Sequence, residues 1–149
     1  NDMPWGMSAH LVYTAIDPAQ PATTSRTVIE RVIRGFIGFD GLLLTDDLSM
    51  QALSGTVGER AAAAIAAGCD VALHCNGKMD EMRSVAAAAP RLGDDALARI
   101  ERGRALLHAP DRFDPAAGLA KLAALLQGDL SVLGEAHVPH STHRPLGYA

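Results

Sequence analysis

The run Gly41-Leu42-Leu43-Leu44-Thr45-Asp46-Asp47-Leu48-Ser49-Met50 decides how this chain is read. Leu42 to Thr45 is a short apolar stretch without alternation, the pattern of a strand buried on both faces of a parallel sheet. It runs directly into two adjacent carboxylates. Two stretches of the same kind, Met7 to Val12 and Val71 to His74, stand on either side of it. Strands therefore recur about every 30 residues, close to the roughly 31 that each unit of a (β/α)8 barrel occupies.

Helices fill the intervals. Ser25 to Arg34 carries a cap at Ser25, apolar Val28, Ile29, Val32 and Ile33 on its inner side, and Gly35 as its stop. Gly58 to Ala67 is alanine-rich and stopped by Gly68. Only helices follow the third strand: Asp80 to Ala88, Asp94 to Leu107, and a last one capped by Asp114, with Pro115 in its first position, running to Leu126. The order β-α-β-α-β-α with trailing helices is an α/β pattern. It fits both a small open parallel sheet and the closing third of a barrel, and length alone does not choose. Residues 1–133 read as this α/β part, and 134–149, with Pro139 and Pro145, as an irregular tail.

Composition narrows the classes. With 149 residues, 48% hydrophobic, 20% charged and a net charge of −4, the chain reads as globular rather than disordered, collagenous or disulfide-built. Basic residues are scattered, so no nucleic-acid footprint is expected. Neither an apolar run of membrane-spanning length nor a leader pattern is present, which predicts a soluble, cytoplasmic protein without a membrane partner. Cys69 and Cys75 flank a strand that holds them too far apart to bridge, so reduced thiols are expected. A start at Asn1 makes the chain read as a piece of something longer.

In parallel α/β folds the chemistry sits on the loops after the carboxyl ends of the strands. Here those loops hold Asp17, the Asp46-Asp47 pair, and His74-Cys75-Asn76-Gly77. A carboxylate at a strand end serves as a nucleophile, a general base or a metal ligand, while Asp47 also suits the cap of a following turn. His10 reads either as part of a site wall or its support, or as a packed, hydrogen-bonded core histidine. His74 faces the same mouth in the first of those readings. His108 sits at a helix end, where a cation suits the dipole. His137, His140 and His143 recur at every third residue, but a proline-containing tail without Cys or carboxylate partners is a poor metal site. Gly35, Gly38 and Gly41 precede a strand instead of opening a helix, so no dinucleotide cofactor is expected, and no other cofactor is indicated. Arg31 and Arg34 read as a solvated face, with Glu30 able to pair with Arg34.

The segments Met7-Ser8-Ala9-His10-Leu11-Val12-Tyr13, Ile16-Asp17-Pro18, Pro21-Ala22-Thr23-Thr24-Ser25, Gly38-Phe39-Asp40-Gly41 and Thr45-Asp46-Asp47-Leu48-Ser49-Met50 occur in this order. Together they resemble the bacterial β-N-acetylhexosaminidases of glycoside hydrolase family 3. The likeness is strong from Met7 to Ser54, continues through Asp70 to Asn76 and fades after about Leu126. It implies a TIM (β/α)8 barrel of which this chain holds the last three units, and a retaining reaction through a glycosyl-aspartate at the end of the seventh strand. By position that aspartate is Asp46. His10, Asp47, Met50 and His74 then form or support the wall of the substrate site, and no metal is implied. The resemblance further implies a terminal β-linked N-acetylglucosamine substrate, drawn from muropeptides recycled in the cytoplasm.

The family's acid/base comes from a Lys-His-Phe-Pro-Gly-His-Gly type segment on an earlier loop. No such segment is in this chain, so the chain alone is expected to be inactive. Two other classes compete. In one, Asp46 and Asp47 bind Mg²⁺ in a small hydrolase or phosphotransferase. In the other, a non-catalytic barrel remnant with open parallel edges self-associates.

Overall fold

The computed structural model describes residues 3–110 and 112–126. Two strands, β1 (Trp5–Met7) and β2 (Leu42–Leu44), pair in parallel with Trp5 opposite Leu42 and Met7 opposite Leu44. Val71 continues the sheet as a single parallel bridge to Leu44. The core lies where this sheet meets helices, around Ile29, Leu43, Ala64, Ala67 and Cys69. A second cluster of Leu48, Leu53, Ala61 and Val85 supports the loop that follows β2.

The first strand sits earlier than the apolar run predicts. Ser8 N–H still bonds to Leu44 O at 2.8 Å, but beyond it the chain turns to the Ala22–Thr24 turn of 3₁₀ helix, with Thr23 N–H on Ala9 O and Ala22 N–H on Leu11 O. The buried side chains of this stretch are Ser8 and His10, not Leu11 and Val12, which are exposed. Hydrogen bonds outweigh hydrophobicity here, because an unpaired buried hydroxyl or imidazole costs more than an exposed leucine.

Val71 to His74 is likewise less regular than predicted. Thr45 N–H reaches Val71 O at 2.9 Å and Leu48 N–H reaches Leu73 O at 2.9 Å, but Leu73 N–H is taken by the Thr45 hydroxyl at 2.8 Å. A side chain thus replaces a backbone acceptor and breaks the ladder.

The helix between β1 and β2 spans Thr27–Phe36 and is wound with π geometry, closing with Ile37 N–H on Val32 O at 2.8 Å. Ser25 accepts the Val28 N–H at 3.1 Å, the capping bond that its position predicts. Gly35 does not stop this helix; the glycine in left-handed conformation is Gly38, at φ 70°. The wider winding leaves Val28 and Ile29 buried and Val32 and Ile33 only half-buried.

Helix α1 (Val57–Ala67) opens with a capping box, in which Thr56 Oγ1 accepts Glu59 N–H and Glu59 Oε2 accepts Thr56 N–H. It ends at left-handed Gly68, as its sequence predicts. Helix α2 (Met79–Ala88) crosses α1 so closely at Gly58 that a Cβ there meets Ser84 Oγ at 2.5 Å. Helix α3 (Asp94–Ala105) is two residues shorter than predicted. Helix α4 (Pro115–Leu125) belongs to a second compact unit beginning at Ala109; its Asp114 cap accepts the Ala116 N–H at 2.9 Å. The predicted tail and its three histidines lie outside the described residues. No described helix is long and apolar enough to cross a membrane.

Arg34 is not on a solvated face. It donates to Asp70 Oδ2 at 2.8 Å and to the carbonyls of Phe39 and Gly41, while Glu30 pairs with Arg26 instead. Arg99 of α3 takes the other oxygen of Asp70 at 2.8 Å, and Leu43 N–H adds a third bond. Asp70 thereby ties the π-wound helix, β2 and α3 together.

Both cysteines are free thiols, as expected, Cys69 buried and Cys75 exposed. Burial pushes the Cys69 thiol up to about 11. Two units above its ordinary value mean about 10²-fold less thiolate, so a thiol reagent at neutral pH labels Cys75 promptly and Cys69 only on unfolding. Mass mapping of the labelled cysteines checks this; equal rates contradict it.

Candidate active site

Asp46 is the second residue past β2 and is half-buried. Its Oδ1 accepts the backbone N–H of Asp47 at 2.8 Å, so the peptide linking the two aspartates orients the first. Asp47 is committed to its own turn. Oδ1 accepts the N–H of Ser49 at 3.0 Å and of Cys75 at 3.1 Å, and Oδ2 accepts the Ser49 hydroxyl. The Ser49 hydroxyl above all, then its backbone N–H, holds the Asp47 carboxyl below the usual carboxylate range. Asp17 is held low in the same way, mainly by the Ser25 hydroxyl at 2.6 Å.

His10 reaches this turn from the other side. Its Nε2 lies 3.1 Å from Asp47 O and its Nδ1 lies 2.8 Å from Thr23 Oγ1. A carbonyl can only accept, so Nε2 carries a proton; in the neutral ring Nδ1 then accepts from the Thr23 hydroxyl. Ser8 Oγ, 2.8 Å from Thr23 Oγ1, continues the chain. Buried and bonded at both nitrogens, His10 is a packed histidine and a support of the Asp46 loop at once. His74 approaches Asp47 through Nδ1, 3.8 Å from Oδ1.

Met50 stands apart from this group. Its side chain is exposed, and only its backbone is held, its N–H on Asp47 O at 3.1 Å and its carbonyl by Arg60 Nη1 at 3.0 Å.

Arg60 escaped the sequence reading. It binds the carbonyls of Leu48, Met50 and Gly55 and so clamps the turn from α1. Nothing in its surroundings in sequence announces this. Ser49 and Thr23 were legible in principle, Ser49 because a hydroxyl two residues after an aspartate favours an Asx-type turn.

A parallel α/β unit whose carboxylates and imidazoles gather on the loops after the strand ends is of the class that works at the carboxyl face of a sheet or barrel. A model of the glycosyl hydrolase family 3 N terminal domain matches residues 2–102, and the chain belongs to glycoside hydrolase family 3. It is 43% identical over 98 residues to a β-hexosaminidase of Chromobacterium violaceum, a match covering 64% of this chain and 27% of that protein. A β-hexosaminidase of Pseudomonas aeruginosa is 40% identical over 100 residues, 66% of this chain and 30% of that one. A glycoside hydrolase family 3 β-N-acetylglucosaminidase from Paenibacillus sp. FPU-7 superposes with a TM-score of 0.54 at 30% identity, over 75% of this chain and 24% of that chain. The chain thus spans less than a third of the length of these relatives. The α/β class expected from sequence agrees with this kinship to TIM-barrel-like domains.

Proposed function

We propose that this chain is the closing three-unit portion of a (β/α)8 barrel and supplies the nucleophile, Asp46, of a retaining glycosidase that removes terminal β-linked N-acetylglucosamine. The observation that carries the reading is the carboxylate of Asp46 just past the carboxyl end of β2, held by the Asp47 N–H at 2.8 Å. A retaining glycosidase needs such a rigidly presented carboxylate under the anomeric carbon. One Asp46 oxygen attacks that carbon as the glycosidic bond breaks, the departing oxygen takes a proton from an acid outside this chain, and water then releases the sugar and restores the carboxylate. Muropeptide fragments recycled in the cytoplasm are the proposed substrate and setting; the names of the relatives support the hexosaminide class of substrate.

The open sides of the sheet suit this portion of a barrel. A cavity of about 690 Å³ lies beside the Val71–His74 segment, walled by Val71, Ala72, Met82, Val85 and Leu92, and does not include Asp46. On the far side Met7, Leu11 and Val12 are exposed. That apolar exposure also favours the second reading, a remnant that self-associates, and sedimentation decides it: a stable monomer at all concentrations removes that reading. The magnesium reading has less support, since both Asp47 oxygens are engaged in the turn.

The test compares the isolated chain with a complete barrel that contains it. The complete barrel is expected to hydrolyse an aryl N-acetylglucosaminide. The isolated chain is expected to give no measurable turnover and no binding of N-acetylglucosamine tighter than millimolar, because positioning supplies several kcal/mol of the barrier and the acid, about 5 Å from the nucleophile in the usual arrangement, is not in this chain. Turnover by the isolated chain that Asp46→Asn abolishes refutes the claim of inactivity, and an inert complete barrel refutes the function.

A further inference from the structure

We propose that His74 is a positioning residue for the Asp46 loop, its protonated ring tying Asp47, beyond the end of β2, to Glu81 on α2. This rests on the reading of Asp46 as nucleophile. The imidazole is only 4% exposed, yet both of its nitrogens are buried without a hydrogen bond. Each nitrogen nevertheless faces a carboxylate: Nδ1 lies 3.8 Å from Asp47 Oδ1, and Nε2 lies 3.4 Å from Glu81 Oε2. A neutral imidazole has one N–H and turns a lone pair toward the other carboxylate. Only the protonated ring presents an N–H to both. Closing the two gaps by roughly 0.5–1 Å makes each a charge-assisted hydrogen bond.

Both carboxylates are themselves anchored, which makes the ring a strut and not a loose contact. Asp47 is fixed by Ser49 and the Cys75 N–H. Glu81 accepts from Asn76 Nδ2 at 2.6 Å and from Lys78 Nζ at 3.2 Å, and these, Asn76 first, hold its carboxyl below the usual range. The charged groups around the ring are therefore Asp47, with Asp46 beyond it, from the loop after β2, Glu81 from α2, and Lys78 just before that helix. The cavity wall that His74 shares also carries Asp70, Arg91, Asp95 and Arg99, of which Asp70 and Arg99 are paired with each other.

The link to the reacting group runs through the Asp47 peptide. Its N–H holds Asp46 Oδ1, so a shift of the turn that carries Asp47 moves that N–H relative to the nucleophile. Loss of the strut then lowers turnover while leaving substrate contacts on other loops in place.

The test reads backbone amides of this chain by nuclear magnetic resonance from about pH 5 to 8, the range in which histidine changes charge. The Asp47, Ser49 and Cys75 amide signals are expected to move together with the His74 ring signals. In Glu81→Gln the movement is reduced, and in His74→Gln it is gone while the fold, followed by circular dichroism, remains. Glu81, at the edge of α2, keeps the test decisive even where His74→Gln fails to fold. Amides that ignore the ring, or that move equally in Glu81→Gln, overturn the proposal. In a complete barrel, His74→Gln is expected to lower kcat about tenfold with KM changed less than about twofold. An unchanged kcat overturns the positioning role. A complete barrel without any glycosidase activity refutes the nucleophile reading, and the amide signals then still judge the tie between Asp47 and Glu81.

Discussion

Asp46→Ala, in a complete barrel carrying this segment, is expected to reduce hydrolysis of an aryl N-acetylglucosaminide by about 10³-fold or more, or about 4 kcal/mol of transition-state stabilisation. Removing a covalent nucleophile takes away the first of the two displacements, and water delivered without a base does not replace it. Asp46→Asn sharpens the test. An asparagine oxygen still accepts the Asp47 N–H, so the loop geometry survives and only the charge is lost. If Asp46 merely orders the loop, Asn restores activity; if it is the nucleophile, Asn is as inactive as Ala. Steady-state kinetics on both variants decides, and undiminished turnover in Asp46→Ala refutes the assignment.

The second large effect is on stability and needs only the chain itself. Asp70→Ala is expected to cost about 3–5 kcal/mol, a large share of the 5–15 kcal/mol by which a typical domain is stable. Asp70 is 8% exposed and its two arginine partners 18%, so its removal takes the carboxylate from the Leu43 N–H and from two poorly hydrated guanidinium groups, which keep the Phe39 and Gly41 carbonyls and the exposed Asp40. The exposed Arg26–Glu30 pair is the control. At 66% and 55% exposure it contributes at most about 0.5 kcal/mol, and Glu30→Ala is expected to leave the urea midpoint nearly unchanged. A loss under about 1 kcal/mol in Asp70→Ala, read from urea unfolding by circular dichroism, contradicts the assignment of Asp70 as the tie between elements.

Asp46 and Asp47 were legible because a strand end and two carboxylates adjoin in sequence. So were the stops and caps of the later helices: Gly68 at the end of α1 and Asp114-Pro115 at the start of α4 act on backbone groups within a few residues of themselves. Signals of this range need no knowledge of the rest of the chain, since the hydrogen bonds they make are closed locally. Where β1 ends was not legible in the same way. The apolar run continues to Val12, but the strand stops at Met7 because His10 finds Thr23 and Asp47, which lie 13 and 37 residues away.

The same distance separates what was misread from what was read. Arg34 looked solvated beside Glu30, four residues before it, because its true partner, Asp70, is 36 residues further on. His74 sits between two carboxylates of which one, Asp47, belongs to another loop, and Cys75 bonds to Asp47 across 28 residues. Local pattern and backbone geometry were enough for the α/β order, the apolar run of β2, the stop of α1, the cap of α4 and the aspartate at the strand's edge. The tertiary structure alone decided which buried charges meet and which hydrogen bonds hold Asp46. Those pairings depend on side chains brought together by packing, and desolvation makes each partner's burial conditional on the other's presence.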